Sequence, residues 1–421
     1  MTQIKKKIKT RAALFLILTL LSLPIRAEDA PPRKDLVNHI TTGFDLLNKL
    51  YWSPTLNIWL DRPGDDVRAH YEGRRNPPWW SSANAVEVMI DFMNITGRTD
   101  YDKAIDALFD IHRDHRNKVP RMVAELKRRG QWNGKDEERL RARLIKEAES
   151  PRSADEHYVD FRNEYLDDSG WWGITWLKMY HRTKDSKYLE TAKAIHAHMA
   201  KNWRPDKGGG VLWCEDADKQ RVNAITNSLF LILSARLHAT TKDAAYLQWA
   251  EKTLRWFRDN NLYDGTAIVD APGHKDDYWT YNQGTYIGSL IAMADATGDP
   301  SYLDEAARVA STVLTKSGLV LPGGVIVEKL GTSGWDVGMF KGVFIRYLGQ
   351  LRDALNASRR HSDLALHIDQ VIRSSTTSLL KHGIGDDGCF TVAWEEHGKD
   401  RSTTFNTQSS GLAALTATLS R

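Results

Sequence analysis

The chain of 421 residues holds only two cysteines, Cys214 and Cys389. A disulfide-built scaffold is therefore excluded. The two lie far apart and lack metal-ligand spacing, so they are read as unpaired, although an oxidising compartment would permit a bridge. A phosphate loop is also missing. Gly208-Gly209-Gly210 has neither a preceding strand nor a following Lys-Ser/Thr. Fourteen histidines are present, without a metal-spaced pair near the residues singled out below. His196 and His198 fall on an outer helix and are read as surface. Long apolar runs are scarce. The run from Ala12 to Leu23 is too short to span a bilayer comfortably. Lys5, Lys6, Lys7, Lys9 and Arg11 precede it, and Ile25-Arg26-Ala27 follows, the pattern of an export signal over residues 1–27. An uncleaved membrane anchor is the rival reading. Neither a lipid-bearing cysteine nor a GPI-type tail is expected. A true basic excess is lacking too. The formal charge is +4, but residues 1–27 carry six basic side chains and no acidic one, and the remainder sums to −2. The basicity belongs to targeting, so nucleic acid is not expected as a partner. The expected protein is periplasmic or secreted, not inserted in a membrane after cleavage, and monomeric.

Strand alternation is absent beyond a few residues, and almost every periodic segment has helical spacing. The spacing predicts twelve helices, near 36–50, 80–96, 100–115, 168–182, 186–202, 220–240, 243–259, 280–297, 300–315, 336–357, 360–381 and 404–420. A repeat underlies them. Thr183-Lys184-Asp185 returns as Thr241-Lys242-Asp243 and as Thr297-Gly298-Asp299, each followed by a Tyr-Leu pair and an alanine. Arg98-Thr99-Asp100-Tyr101 is a worn copy. Each copy is a polar turn between two helices, with Asp, Ser or Pro opening the second. Helices at 186, 243, 300 and 360 carry charge at regular intervals and read as an outer layer. Those at 80, 168, 220, 280, 336 and 404 are rich in small and apolar residues, and each opens on a polar or aromatic cluster. Six inner and six outer helices in alternation make an all-α (α/α)6 toroid over residues 28–421. Its inner N-termini would ring one cleft with their positive dipole ends. A linear solenoid is the alternative. The segment at about 116–155 is highly charged and is read as a helical, solvated insertion. A basic binding patch is its rival reading, weakened by the interleaved acids.

The chemistry centres on Glu164-Tyr165-Leu166-Asp167-Asp168-Ser169-Gly170-Trp171-Trp172. Paired carboxylates beside aromatic faces suit glycosidic-bond cleavage: one attacks or steadies an oxocarbenium-like sugar, the other handles the leaving-group proton, and indoles stack on pyranose rings. Asp is also a favoured helix start, so position alone does not separate a cap from a catalyst. Within a helix, neighbours diverge by about 100°. At a boundary not yet helical, both side chains can face one cleft. Mutual repulsion then splits the two pKa values. Tyr281, Asn282 and Gln283 can bond hydroxyls. Trp171, Trp172 and Trp279 are candidate stacking platforms, although Trp is more often plain core. Asp276-Asp277 reads as a solvated loop edge.

The Asp pair with its Trp-Trp resembles glycoside hydrolase family 76, the endo-α-1,6-mannanases. Five further motifs follow that family's order: Trp-Trp-x-Ser-Ala-Asn at Trp79 to Asn84, Gly-Gly-Gly-Val-x-Trp at Gly208 to Trp213, Asn-Ala-Ile-Thr-Asn at Asn223 to Asn227, Trp-Thr-Tyr-Asn-Gln-Gly at Trp279 to Gly284, and Phe-Lys-Gly-Val-Phe at Phe340 to Phe344. The resemblance runs from about residue 36 onward. It implies an α-mannan substrate, endo action on α-1,6 linkages, a retaining mechanism with Asp167 as nucleophile and Asp168 as general acid/base, and no cofactor or metal. It also implies that Asp270 holds sugar hydroxyls. Leu166 replaces the family's usual Tyr, Ser169-Gly170 replaces a bulkier pair, and the charged insertion is longer than usual. A transglycosylase of the same fold and a non-catalytic glycan-binding protein are the alternative readings. Unsaturated uronyl hydrolases and sugar epimerases share the toroid, but a polyuronide calls for a basic cleft, and the six clusters hold no basic residue.

Overall fold

A computed structural model describes residues 31–420 except 65, 73, 75–76, 115–117 and 149–159. The export signal expected at 1–27 lies outside the described residues, as do 149–155 of the charged segment. Among the described residues, no helix is long and apolar enough to cross a membrane.

All twelve expected helices are present, with starts and ends within a few residues of the predicted ones. Six inner helices form the ring: α3 (Trp79–Thr96), α7 (Leu166–Thr183), α9 (Ala224–Thr241), α11 (Thr280–Thr297), α13 (Val337–Ser358) and α15 (Phe405–Leu419). Each packs on the next, and α15 packs back on α3, which closes the circle and excludes a linear solenoid. Outside lie α1 (Arg33–Tyr51), α4 (Asp102–His112), α8 (Ser186–Lys201), α10 (Ala244–Asp259), α12 (Ser301–Lys316) and α14 (Ser362–His382). The sequence dictates this sorting. A helix apolar on all sides must be surrounded, whereas one with a single apolar stripe can face water. In α9 nearly every side chain from Ala224 to Leu237 is buried. In α10 only Ala250, Thr253, Leu254, Trp256 and Phe257 are. Glycine permits the closest helix contacts. A Cβ on Gly342 of α13 would stand 2.6 Å from the Cα of Ser410 on α15.

The repeated turns share one construction. The hydroxyl oxygens of Thr183, Thr241 and Thr297 accept the backbone N–H of Asp185, Asp243 and Asp299 at 3.1–3.2 Å. Those carboxylates then accept the N–H of Lys187, Ala245 and Ser301 at 2.9–3.0 Å, which caps α8 and α10 and ties the turn to the first residue of α12. The residue between Thr and Asp is left-handed, with φ of 63° at Lys184 and Lys242 and 72° at Gly298.

The loops returning to the inner helices are also alike. Each makes an isolated antiparallel bridge, Trp203 with Val211, Tyr263 with Ile268 and Ile384 with Phe390. An amide from the following inner helix then grips the bridge. Asn227 bonds both N–H and C=O of Val211 at 2.7 and 3.1 Å. Gln283 does the same to Ile268 at 2.7 and 2.8 Å. Gln408 accepts the Phe390 N–H at 2.8 Å and donates to the Gly43 carbonyl at 2.9 Å.

The charged segment is helical where described: α5 (Lys118–Arg128) and α6 (Gly134–Ala148), with α5 packed on the short α2 (Val67–Tyr71). Glu125 takes both Arg128 and Arg129 at 2.6–2.7 Å, so the basic run is neutralised internally. Among the described residues, the only sheet is the two-residue pair β1 (Trp52–Ser53) and β2 (Ile58–Trp59). Cys214 and Cys389 are buried and free, as expected. His196 and His198 correct the reading. They are 4% and 7% exposed, because α8 turns this edge onto α9, where His196 bonds Ser234 and stacks on Phe230.

Among the described residues, the ring interior holds a fully buried carboxylate, Glu87 of α3. Arg346 of α13 meets it at 2.9 Å and Lys178 of α7 at 3.1 Å. Burial alone would raise its pKa. Arg346, Lys178 and Arg236 overcome that and hold it at about 2. Glu87→Gln leaves Arg346 without a counter-charge, and removal of one partner of a buried pair costs about 3–5 kcal/mol. The expected result is a marked fall in denaturation midpoint.

Candidate active site

The site begins in the loop before α7. Residues 163–166 run extended beside 213–215: the Leu166 N–H donates to the Trp213 carbonyl and the Glu215 N–H to the Glu164 carbonyl, both at 2.9 Å. This pairing carries Trp213, from the next repeat, against the start of α7. The helix opens two residues earlier than expected, at Leu166, so Asp167 and Asp168 occupy its first turn and not a preceding extended segment. First-turn N–H groups lack helical partners, and the Asp168 N–H donates to Asp167 Oδ1 at 3.0 Å. Trp213 Nε1 donates to Asp167 Oδ2 at 2.9 Å. Asn163 Nδ2 donates to Asp168 Oδ2 at 2.9 Å, and Asn163 is itself fixed by the Tyr165 N–H and Ser169 Oγ.

The two carboxylates are thus dressed differently. Asp167 receives a donor on each oxygen, which favours its anion. Asp168 receives one donor and keeps Oδ1 free. Burial pushes the Asp167 carboxyl up to about 7, against the Trp213 and backbone bonds, and the charge on Asp336 adds to the rise. Asp168 is raised well above the ordinary carboxylate range, first by burial and then by Asp167, with Asp336 and Glu164 contributing. Two like charges this close titrate as a pair. The unequal donors and the repulsion between the two favour a proton on Asp168 beside an ionised Asp167, the arrangement that general acid chemistry with a neighbouring nucleophile requires.

A cleft of about 620 Å³ opens on Asp168, with Trp80, Asn163, Glu164, Trp335 and Asp336 among its walls. The Tyr281 ring stacks on Phe340 at 3.9 Å. Burial raises its phenol pKa, and Asp270, Asp167 and Asp336 raise it further, so it lies within electrostatic reach of three carboxylates. Asp270 is raised mainly by burial and takes the Asn282 amide at 3.0 Å.

Several expected site residues are placed otherwise. Trp171 and Trp172 are 2% and 0% exposed. Trp172 packs among Trp79, Phe161 and Trp176, and Trp171 backs Trp80, so neither presents a face to sugar. At helical pitch they turn inward from the mouth. Gln283 is spent on Ile268, and the buried Asn282 orients Asp270 in place of a sugar hydroxyl. The N-terminal clusters of α9 and α15 likewise serve their loops. Asp167, Asp168, Asp270, Trp279 and Tyr281 retain solvent access.

Other residues escaped the sequence reading. Trp213 and Trp80 lie inside recognised motifs but were not singled out, and Asp336 opens an inner helix as Asp167 does. Asn163 carries no local signal. Basic residues also stand nearby, outside the six clusters. Arg162 lines the cleft, Arg221 stacks over Trp213 at 4.3 Å, and Lys219 donates to the Tyr165 hydroxyl at 2.7 Å. Asp61, Glu164, Asp168 and Asp336 outnumber Arg162 on the cleft wall, which still disfavours a polyanion. Among the described residues, Asp270, His274 and Asp277 bring ligand atoms within 4.8 Å of one another, a set compatible with a cation. His274 meets Asp277 there at 2.5 Å.

Comparison with known proteins bears on this arrangement. The model of glycosyl hydrolase family 76 matches residues 131–421. The chain belongs to that family. A mannan endo-1,6-alpha-mannosidase of Saccharomyces cerevisiae is 28% identical over 205 residues, which is 44% of this chain and 45% of the yeast protein. The family 76 chain thus spans about half the length of the curated relatives it matches. The α-1,6-mannanase of Salegentibacter sp. HEL1_6 superposes with a TM-score of 0.67 at 23% identity, covering 91% of this chain and 98% of that one. An inactive variant of that mannanase, with two adjacent aspartates replaced by asparagine, has been solved with α-1,6-mannotriose. It superposes with a TM-score of 0.68 at 22% identity, covering 91% and 99%. These likenesses show the helical-barrel fold.

Raised carboxylate pKa values have a stability cost of known sign. The folded state binds more protons than the unfolded chain between the unfolded value near 3.8 and about 7, so stability is lost as pH rises through that window. The Asp167→Asn/Asp168→Asn double variant lacks this loss. Its thermal midpoint is expected to exceed that of wild type by an amount that grows as the pH rises from 4 through 7.

Proposed function

We propose that this family 76 chain is an exported glycoside hydrolase that cuts α-mannan within the chain at α-1,6 linkages, with retention of configuration. The observation that carries the reading is the asymmetric dressing of the Asp pair. Asp167, held by two donors, is the nucleophile. It attacks the anomeric carbon while the glycosidic C–O bond breaks, and the leaving oxygen takes the proton from Asp168. A glycosyl ester on Asp167 results. Asp168, now ionised, removes a proton from water as that water attacks the same carbon, and the Asp167 carboxylate is released. Tyr281 and Asp270, both with solvent access, are assigned to the sugar's hydroxyls. The names of the yeast and Salegentibacter proteins support mannan as the polymer, and the pattern of residues 1–27 supports export.

The test is product release from linear α-1,6-mannan, with anomeric configuration followed by NMR. Wild type is expected to give short oligosaccharides with retained configuration. Loss of a positioned acid costs about 10²–10⁴-fold, so Asp168→Asn is expected to fall by that factor and Asp167→Asn at least as far. Inverted products would sink the nucleophile assignment. Elongated products in place of hydrolysis would assign the transglycosylase chemistry. Unchanged turnover in both variants would remove the pair from the reaction.

A further inference from the structure

The far wall of the cleft contains a second built feature. Trp335 and Asp336 open α13, which lies three helices round the ring from α7. Asp is a favoured N-cap because its carboxylate usually accepts a first-turn N–H. Asp336 holds that position and makes no cap bond. Its Oδ1 accepts instead from Trp80 Nε1 at 2.7 Å, across the mouth of the cleft. Trp80 is steadied in turn by stacking on Trp171 at 5.7 Å. The preceding residue is fixed from behind: the fully buried Asn406 of α15 donates from Nδ2 to the Trp335 carbonyl at 2.8 Å. The Trp335 indole is nevertheless 37% exposed, whereas the other fourteen tryptophans are buried or half-buried. Both side chains line the cleft that holds Asp168. Neither residue's exposure serves the fold. The carboxylate forgoes its helix cap, and the indole forgoes burial.

We propose that Trp335 and Asp336 form a sugar subsite opposite the aspartate pair, with the indole as stacking platform and the carboxylate as hydroxyl acceptor. An apolar face beside a fixed acceptor matches a pyranose, whose axial C–H groups and equatorial hydroxyls demand both at once. Trp80 sets the carboxylate's direction, leaving Oδ2 for the ligand. The assignment moves the stacking role from Trp171 and Trp172, which are buried, to an indole that meets solvent. It rests on reading the cleft as a mannan site, and it adds which wall grips the glycan and through which atoms.

Binding separates this claim from catalysis. Isothermal titration of α-1,6-mannotriose and the tetraose into the Asp167→Asn/Asp168→Asn variant gives the reference affinity. Trp335→Ala and Asp336→Ala are then added to that background singly. Hydrogen bonds to a charged group, like stacking contacts, are worth roughly tenfold in affinity, so each is expected to weaken binding about tenfold. Trp335→Phe is expected to recover most of the loss, which a purely structural role would not produce. Both residues are solvent-facing, and an unchanged thermal midpoint confirms folding. Equal affinity with and without the two residues would overturn the subsite and leave the mannan reading intact. A reference variant that binds neither oligosaccharide would overturn that reading and the subsite with it.

Discussion

A carboxylate with no access to water sits at the middle of six packed helices, and the rest of the molecule is built around keeping it charged. Glu87 is tolerable because α7 and α13 each pair a cation with it and Arg236 of α9 adds a third nearby charge. Three helices far apart in sequence are thereby tied at one height. Desolvation makes such a tie poor as a source of net stability but strict about geometry: any slip strands a charge in an apolar interior. Fixing the height of α3, α7 and α13 fixes the height of their N-termini. Those three ends carry Trp80, the Asp pair and Asp336. The register of the reactive groups is set a full helix half-length beneath them.

The fold was legible because its signals are local and repeated. The Thr-Lys-Asp and Thr-Gly-Asp turns each encode a left-handed residue and a cap within three positions. The all-round apolarity of α9 against the single stripe of α10 sorts inner from outer without reference to any partner. The Asp pair was legible for a similar reason, as two carboxylates at a helix start. What lay hidden were contacts made across repeats. Trp213 reaches Asp167 from the loop after α8, and Asn163 reaches Asp168 from an irregular turn. Trp171 and Trp172 misled because an indole next to a reactive residue in sequence is turned away by helical pitch. Asn282 and Gln283 misled differently. A polar side chain at a helix mouth serves a ligand or a backbone equally well by composition, and only the bridge at Ile268 decides between them.

The amide grips explain how a barrel made of helices presents loops with the rigidity of a sheet. Val211, Ile268 and Phe390 each sit in a single bridge that would be too short to hold alone. Asn227, Gln283 and Gln408 supply the missing ladder partners from a helix. The loops that carry Trp213 and Asp270 are therefore positioned by the inner ring itself. Separate packing of the loops is not needed. Loop sequence beyond the gripped residue is free to vary in length and charge without disturbing the frame.

The bond from Trp213 to Asp167 has one more consequence. An indole N–H donating to a carboxylate senses directly whether that oxygen carries charge, since the donor proton is drawn further from nitrogen toward an anion than toward a neutral acid. The Nε1–H of Trp213 is thus a built-in reporter: its magnetic resonance follows the ionisation of one member of the pair.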